Sequence, residues 1–327
     1  MNKPRYYRSF LWPVLLIGVG VIWLLYSLGL IPPANFGTLV SLWPLILIVI
    51  GLDLLIGRRS PIGSVLIALF TLAVVVLILL AAPALNLPAS AGMQTRTIVE
   101  PLNGASAAEV NLDLSFMPAR VYALSDSQDL LRAEIDFYGT LDYRATGDSV
   151  RRISLEQQMD SSGLRVMFDP TARWDIGLSP AVPIDLNIDG GSGSAEIDLT
   201  GLDLSTLWFD QGSGSFDVIL PMSPKEYEVT AIGGSGSLKI DLPEQTSLTL
   251  RLDGQSGSIR LNLPDNAGVR LEVLDSGSGS VNFPGSLERV SGGEDKEGVW
   301  QTPGYNDAVY KLLIICEDLG SGSFTLR

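Results

Sequence analysis

Six Gly-Ser corners recur in the second half of the chain, and their spacing limits the fold more than any other feature. The second glycines of these corners are Gly193, Gly214, Gly236, Gly257, Gly279 and Gly322. The steps between them are 21, 22, 21, 22 and 43 residues. A fixed period of this size means one supersecondary unit stacked on the next, each burying its apolar face against its neighbours. The 43-residue step reads as two repeats with one corner lost near residues 301–305.

The residues around each corner show what a unit contains. An apolar residue follows each corner directly: Ala195, Phe216, Leu238, Ile259, Val281 and Phe324. Two further on stand Ile197, Val218, Ile240, Leu261, Phe283 and Leu326. Most residues between them are polar, and strict alternation marks a strand with one buried face. Pro221, Pro243, Pro264 and Pro284 then end four of the strands, because proline has no N–H for a ladder. A second strand, such as 248–252, leads to the next corner. The expected fold of residues 93–327 is a single-stranded parallel β-solenoid of 21–22-residue coils. Residues 186–327 are its regular repeats and 93–185 its divergent coils and cap. Tyr138, Tyr143, Trp174 and the loop 170–175 are read as core and capping residues rather than a binding face. Leu261 is expected to point inward between Ile240 and Phe283.

The corners resemble neither a calcium roll nor a phosphate loop. A calcium roll needs an acid at the sixth position of its repeat, where this chain has Ala195, Phe216, Leu238, Ile259 and Val281. A phosphate loop needs Gly-Lys-Ser/Thr and a helix, and neither follows. The corner glycines are therefore structural, and no metal or cofactor is expected.

The first third reads as an α-helical membrane anchor, residues 1–83. Apolar runs at 10–31, 39–56 and 62–82 are each long enough to span about 30 Å of hydrocarbon at 1.5 Å per residue. Only Asp53 is charged within them, and its place near Arg58 and Arg59 makes it an interfacial residue. Lys3, Arg5 and Arg8 precede the first run, and Arg58 and Arg59 separate the second from the third. The positive-inside rule puts both groups in the cytoplasm. Three transmembrane helices then leave the N-terminus cytoplasmic and the C-terminal domain extracytoplasmic. Residues 84–92 form an Ala/Pro-rich linker, in which 89–91 has the small-residue pattern of a cleavage site.

Charge and composition narrow the function. The chain carries a net −14, while residues 1–91 hold five Lys+Arg and one Asp, a net +4; residues 92–327 therefore carry −14 − 4 = −18. So acidic a domain excludes nucleic acid as a partner. The absence of any histidine removes His-based triads and His metal sites. Repeated acids such as Glu196, Asp198 and Asp217 fall at outward strand positions and read as a solvated face. No enzyme is expected. The single Cys316 excludes an internal disulfide, and its apolar run 312–316 makes it a core residue.

Two segments carry a family resemblance. Residues 26–30 (Tyr-Ser-Leu-Gly-Leu) followed by 42–51 (Leu-Trp-Pro-Leu-Ile-Leu-Ile-Val-Ile-Gly) resemble the transmembrane module of LiaI/LiaF-type bacterial proteins. The Gly-Ser-Gly-Ser coils resemble the toastrack domain, known also as a candidate adhesin repeat. The resemblance implies a bacterial cytoplasmic-membrane protein of envelope-stress systems, some of whose members restrain a sensor histidine kinase. LiaF-type proteins are commonly drawn with four spans where this chain shows three, and the family supplies no catalytic residue.

Two functions follow as expectations. The first is a non-catalytic accessory or sensor of envelope stress, with the lipid bilayer and a membrane histidine kinase or other envelope protein as partners. The second is a surface adhesin or a self-associating structural protein. The chain stops five residues past Gly322, so its last strand reads as an uncovered solenoid edge unless the irregular stretch 288–307 folds back over it. Phe324, Thr325, Leu326 and Arg327 are accordingly expected to form a docking edge for a partner or a second copy.

Overall fold

The computed structural model describes Leu16, Gly18, Gly20 and residues 47–49, 66–67, 69–74, 93–125, 128–158, 172–292 and 296–327. The chain divides into two compact units, Met1–Gly92 with Ser161–Phe168 and Met93–Asp160 with Asp169–Arg327.

In the first unit the described residues within each of the three apolar runs are helical. Leu16, Leu47, Ile48, Leu66, Leu69 and Phe70 are exposed. A Cβ on Gly18 would lie 3.0 Å from Leu72 Cδ1, so the helical turns of the first and third runs approach closely where glycine leaves room. Thr71 Oγ1 donates to the Ile67 carbonyl at 2.8 Å, closing its hydroxyl onto its own helix. Among the described residues no helix is long and apolar enough to cross a membrane. Most of the three expected spans, Asp53, the basic residues Lys3, Arg5, Arg8, Arg58 and Arg59, and the 84–92 linker lie outside the described residues.

The second unit is β-structure. Its first strands are β1 (Gln94–Pro101), β2 (Ala107–Asp113), β3 (Ala119–Ala123), β4 (Asp129–Phe137), β5 (Thr140–Thr146), β6 (Val150–Gln158) and β7 (Trp174–Leu178). The repeats supply β8 (Ile184–Asp189), β9 (Ala195–Asp198), β10 (Leu204–Asp210), β11 (Phe216–Ile219), β12 (Tyr227–Ile232), β13 (Ser237–Asp241), β14 (Leu248–Asp253) and β15 (Ser258–Asn262). The last strands are β16 (Gly268–Val273), β17 (Ser280–Asn282), β18 (Glu288–Ser291), β19 (Gly298–Gln301), β20 (Lys311–Asp318) and β21 (Ser323–Leu326).

These strands form two sheets. The ten-stranded sheet runs β1-β4-β7-β3-β9-β11-β13-β15-β21-β17, and the eleven-stranded sheet β18-β19-β16-β20-β14-β12-β10-β8-β2-β6-β5. Each repeat contributes one strand to each sheet and so makes one layer. Between layers the strands pair in parallel and in strict register, Ala195 beside Phe216, Phe216 beside Leu238 and Leu238 beside Ile259. The alternating apolar residues of both sheets are buried, so the core is a column of ladders between the sheets. The N-terminal end is closed by antiparallel strands, β4 on β7 with β1 outside it, and β5 on β6.

The C-terminal end departs from the repeat count. β15 does not meet β17; β21 lies between them, with Ile259 beside Phe324 and Phe324 beside Val281. In the other sheet β20 lies in the same way between β14 and β16. The layer at the chain's end is therefore interior, and the layer before it in sequence is pushed to the outside. β20 explains the choice. Leu312, Ile314 and Cys316 fill the core while Leu313 and Ile315 are half-buried on the outer face. A strand that is apolar on both faces suits a fully paired position and is a liability at an edge. β17 is only three residues long, and short strands make safer edges.

Two expectations are corrected by this order. Leu261 packs between Ile240 and Leu326, not Phe283. The 43-residue step is not two repeats with a lost corner. Its extra residues form the hairpin β18–β19, whose second strand pairs antiparallel with β16 and covers that edge. Phe283 closes the end of the core instead, its ring 4.9 Å from Trp300 and 6.2 Å from Phe324.

Candidate functional site

The corners form a column along one side of the stack, and two kinds of glycine build it. The first glycines Gly191, Gly212, Gly277 and Gly320 have φ of +53°, +63°, +61° and +64°, a region that side chains disfavour. The second glycines are needed for close approach. A Cβ on Gly193 would collide with the Met117 carbonyl, on Gly214 with Gly193, on Gly236 with Gly214 and on Gly257 with Gly236. A Cβ on Gly322 would strike Gly257, and one on Gly279 would strike Gly322. The glycine contacts thus repeat the layer order seen in the strands.

An aspartate that sequence reading passed over completes the corner. Asp189, Asp210, Asp275 and Asp318 each accept a hydrogen bond from the backbone N–H two residues on, at 3.2, 2.9, 2.8 and 2.7 Å. Asp113 does the same for Ser115 at 2.9 Å, in a corner without glycine. These are Asx turns, which set the bend before the first glycine takes its positive φ. The signal was present, since an Asp stands four residues before the second glycine in five of the six corners.

The residues first read as a docking edge are not at an edge. Phe324 and Leu326 are buried, and Thr325 pairs with Arg260 on one side and Asn282 on the other. Arg327 donates from its N–H to Leu261 and accepts from Leu263 N–H at 3.1 and 2.7 Å. The expectation fails because it assumed that the last strand in sequence is the last in space.

The outer face of the ten-stranded sheet carries the candidate site, a groove of about 920 Å³ that crosses seven strands, β7, β3, β9, β11, β13, β15 and β21. Its floor is set by register. Outward positions run Arg120, Glu196, Asp217, Lys239, Arg260 and Thr325 across neighbouring strands, about 4.8 Å apart. Along one wall stands a row of corner hydroxyls, Ser194, Ser215, Ser237, Ser258 and Ser323. Ser237 Oγ lies 3.0 Å from Ser215 Oγ, and Ser194 Oγ accepts from Ser215 N–H at 3.4 Å.

Charge is mixed along the groove. Arg173, Asp175 and Arg120 stand at one end, Glu196, Asp198 and Asp217 come next, and Lys239 and Arg260 follow. Lys239 Nζ bridges Asp217 at 3.0 Å and Asp241 at 2.9 Å. Its hydrogen bonds to Asp241 and Asp217 push its pKa up, so it stays charged at any physiological pH. Burial works against the Asp241 carboxylate, yet hydrogen bonds from Asn262 and Lys239 outweigh it and hold the pKa below 3.8. Among the described residues Glu196 and Arg260 form no ion pair and are available to a ligand. The face can therefore hold an extended polar partner by salt links and hydroxyl contacts.

Of the aromatic residues in 93–185 singled out by the sequence, Tyr138 and Trp174 are buried and Tyr143 is half-buried. Trp174 is buried, and its indole N–H donates to the Asp136 carbonyl at 3.0 Å. Tyr143 OH donates to Glu100 at 2.6 Å, and Arg151 bridges the same carboxylate at 2.7 Å. Burial first, then the hydrogen bond to Glu100, pushes the Tyr143 pKa up, so it remains a neutral donor. Cys316 is buried, and desolvation raises its thiol pKa, leaving it unreactive.

Two family models match parts of the chain. Residues 89–241 match the family model for the N-terminal domain of toast_rack, and residues 10–55 match the LiaI-LiaF-like transmembrane region. No curated protein matches the chain. Among solved structures, a candidate cell adhesion protein from Clostridium sporogenes ATCC 15579 is 16% identical over 72% of this chain and 99% of its own, with a TM-score of 0.45. A candidate adhesin from Bacteroides fragilis NCTC 9343 is 13% identical over 73% of this chain and 98% of its own, with a TM-score of 0.33.

Proposed function

We propose, for a chain that carries a LiaI-LiaF-like transmembrane region ahead of a toast_rack domain, that it is a membrane-tethered, non-catalytic binding module. In this reading three helices span the cytoplasmic membrane and a parallel β-solenoid stands outside it as an accessory or sensor of envelope state. Its partner is a membrane protein such as a sensor histidine kinase. The observation that carries the reading is the mixed-charge groove on the ten-stranded sheet, built on strands locked in register and holding Glu196 and Arg260 without ion-pair partners among the described residues. A rigid frame that fixes separated charges suits recognition, because little side-chain freedom is lost on binding.

A photo-crosslinker at Arg260, compared with one at Thr249 on the other sheet, tests this in native membranes. A discrete membrane-protein adduct from position 260 alone is expected. Equal adducts from both positions, or none from 260, would remove the groove from the proposal. Orientation has its own test. Ser205 is exposed in β10, and Ser205→Cys in a Cys316→Ser background should react with an impermeant thiol reagent on intact protoplasts. Reaction only after lysis would reverse the topology.

A further inference from the structure

We propose that a cleft on the outer face of the eleven-stranded sheet, where Trp208 stands beside the Asn111–Asn187 amide pair under a rim of carboxylates, is a subsite for one amino-sugar unit of a glycan. It lies on a different sheet from the groove and does not rest on the reading given there. The cleft has a volume of about 190 Å³. That is below the roughly 300–1,000 Å³ of pockets that engulf a ligand, and suits one ring of a chain lying across the sheet.

Register assembles it. Asn111 on β2 is beside Asn187 on β8, which is beside Trp208 on β10. Two residues further along on the same face, Asp113 is beside Asp189 on one side and Glu156 on the other. Asn187 Nδ2 donates to Asn111 Oδ1 at 2.9 Å. That bond orients both amides and leaves Asn111 Nδ2 and Asn187 Oδ1 without a partner among the described residues. One donor beside one acceptor is what a sugar hydroxyl needs, since it gives one hydrogen bond and accepts others.

Trp208 supplies the apolar part. Of the three described tryptophans, Trp174 and Trp300 are buried in the core, while Trp208 is half-buried on the outer face. Its ring offers a plane to the C–H face of a pyranose and a negative quadrupole to a cation. The charge of the cleft selects among sugars. Asp113, Glu156 and Asp189 line it, and no lysine or arginine does. Asp113 and Asp189 each commit Oδ1 to a turn N–H, at 2.9 and 3.2 Å, which holds the carboxylates in place. A cleft with three carboxylates repels anionic polymers and favours an ammonium-bearing ring over a neutral or N-acetylated one.

The test uses the full chain in detergent, titrated calorimetrically with a β-1,4-linked glucosamine tetramer, its N-acetylated form and a neutral glucose tetramer. The glucosamine tetramer should bind at least about tenfold more tightly than either of the others. Trp208→Ala should weaken it at least about tenfold, and Trp208→Phe less. Asp189→Asn keeps an oxygen for the turn N–H, so it should reduce the preference for the amine form while leaving the melting temperature unchanged. Equal affinity for the three tetramers, or an unchanged affinity in Trp208→Ala, would overturn the assignment. So would tighter binding of a lysine-rich peptide than of the sugar, which would make the cleft a peptide contact.

Discussion

The layers from β8/β9 to β14/β15 stack in the order of the chain, whereas the last two exchange places. β20/β21 enters between β14/β15 and β16/β17. Both regions carry the same Gly-Ser corner and nearly the same alternation. A repeat therefore states what a layer is made of, and leaves open which layer it will touch. In the middle, short connections bring each layer onto its predecessor. At the end a 28-residue connection, residues 283–310, frees the final layer to take the position that pairs both of its edges.

The largest test of this contrast is removal of residues 311–327. An end layer would be lost at little cost to the rest. An interior layer leaves β14 and β16 without their shared partner and opens the core. The truncated chain should lose cooperative unfolding of the β unit, an effect comparable with a domain's whole stability of roughly 5–15 kcal/mol. A melting curve close to that of the full chain would restore the chain-order stack.

Single substitutions sharpen the picture. Leu261 is 0% exposed between Ile240 and Leu326, so Leu261→Asp should cost about 3 kcal/mol or more by burying an unpaired carboxylate. Its outward neighbour in Arg260→Asp should cost about 1 kcal/mol or less. Similar melting temperatures for the two variants would contradict the faces assigned to β15.

The corners give a smaller contrast. A methyl group at Gly214 meets the Gly193 carbonyl, and rigid backbone on both sides cannot yield, so Gly214→Ala should cost about 2–4 kcal/mol. At Gly285, in the long connection, a Cβ meets nothing within 4 Å, and alanine should change stability by no more than about 0.5 kcal/mol. Equal effects in denaturant titrations would show that the second glycines do not set the layer spacing.

The smallest effects are electrostatic and differ in sign between the sheets. Asp241 has its pKa lowered below 3.8. The stability it contributes is present above pH 3.8 and is lost as pH falls through its lower folded value. Asp253 is raised above 3.8, by burial first and then by Asp318 and Glu317. It disfavours the fold at neutral pH, and that penalty disappears as pH falls through its raised folded value. Asp241→Asn should therefore lower the melting temperature at pH 7, and Asp253→Asn should raise it. Each effect should be under about 1 kcal/mol, because both groups are largely solvated. The two differences from the parent should shrink toward pH 3.

Part of the candidate site was legible beforehand. The outward acids Glu196, Asp198 and Asp217 were placed on one face by alternation alone, and Lys239 and Arg260 fall on that face by the same count. Their gathering into a groove beside Arg120 and Asp175 was not legible, because β3 and β7 come from the irregular segment and join the sheet through long-range pairing. The Asn111–Asn187–Trp208 row was hidden for the same reason, since Asn111 and Asn187 are 76 residues apart in sequence.

By itself the sequence determined the unit: alternation chose the buried face, proline ended the strands, and Gly-Ser marked the side where backbones touch. These are local consequences of side-chain period and backbone sterics, which no distant contact alters. Only the tertiary structure decided the order of layers and the identity of the exposed edge. A parallel strand takes its partners through hydrogen bonds that any strand of matching register can supply. The choice then falls to burial, and the apolar strand β20 gains more between two neighbours than at the end of a sheet.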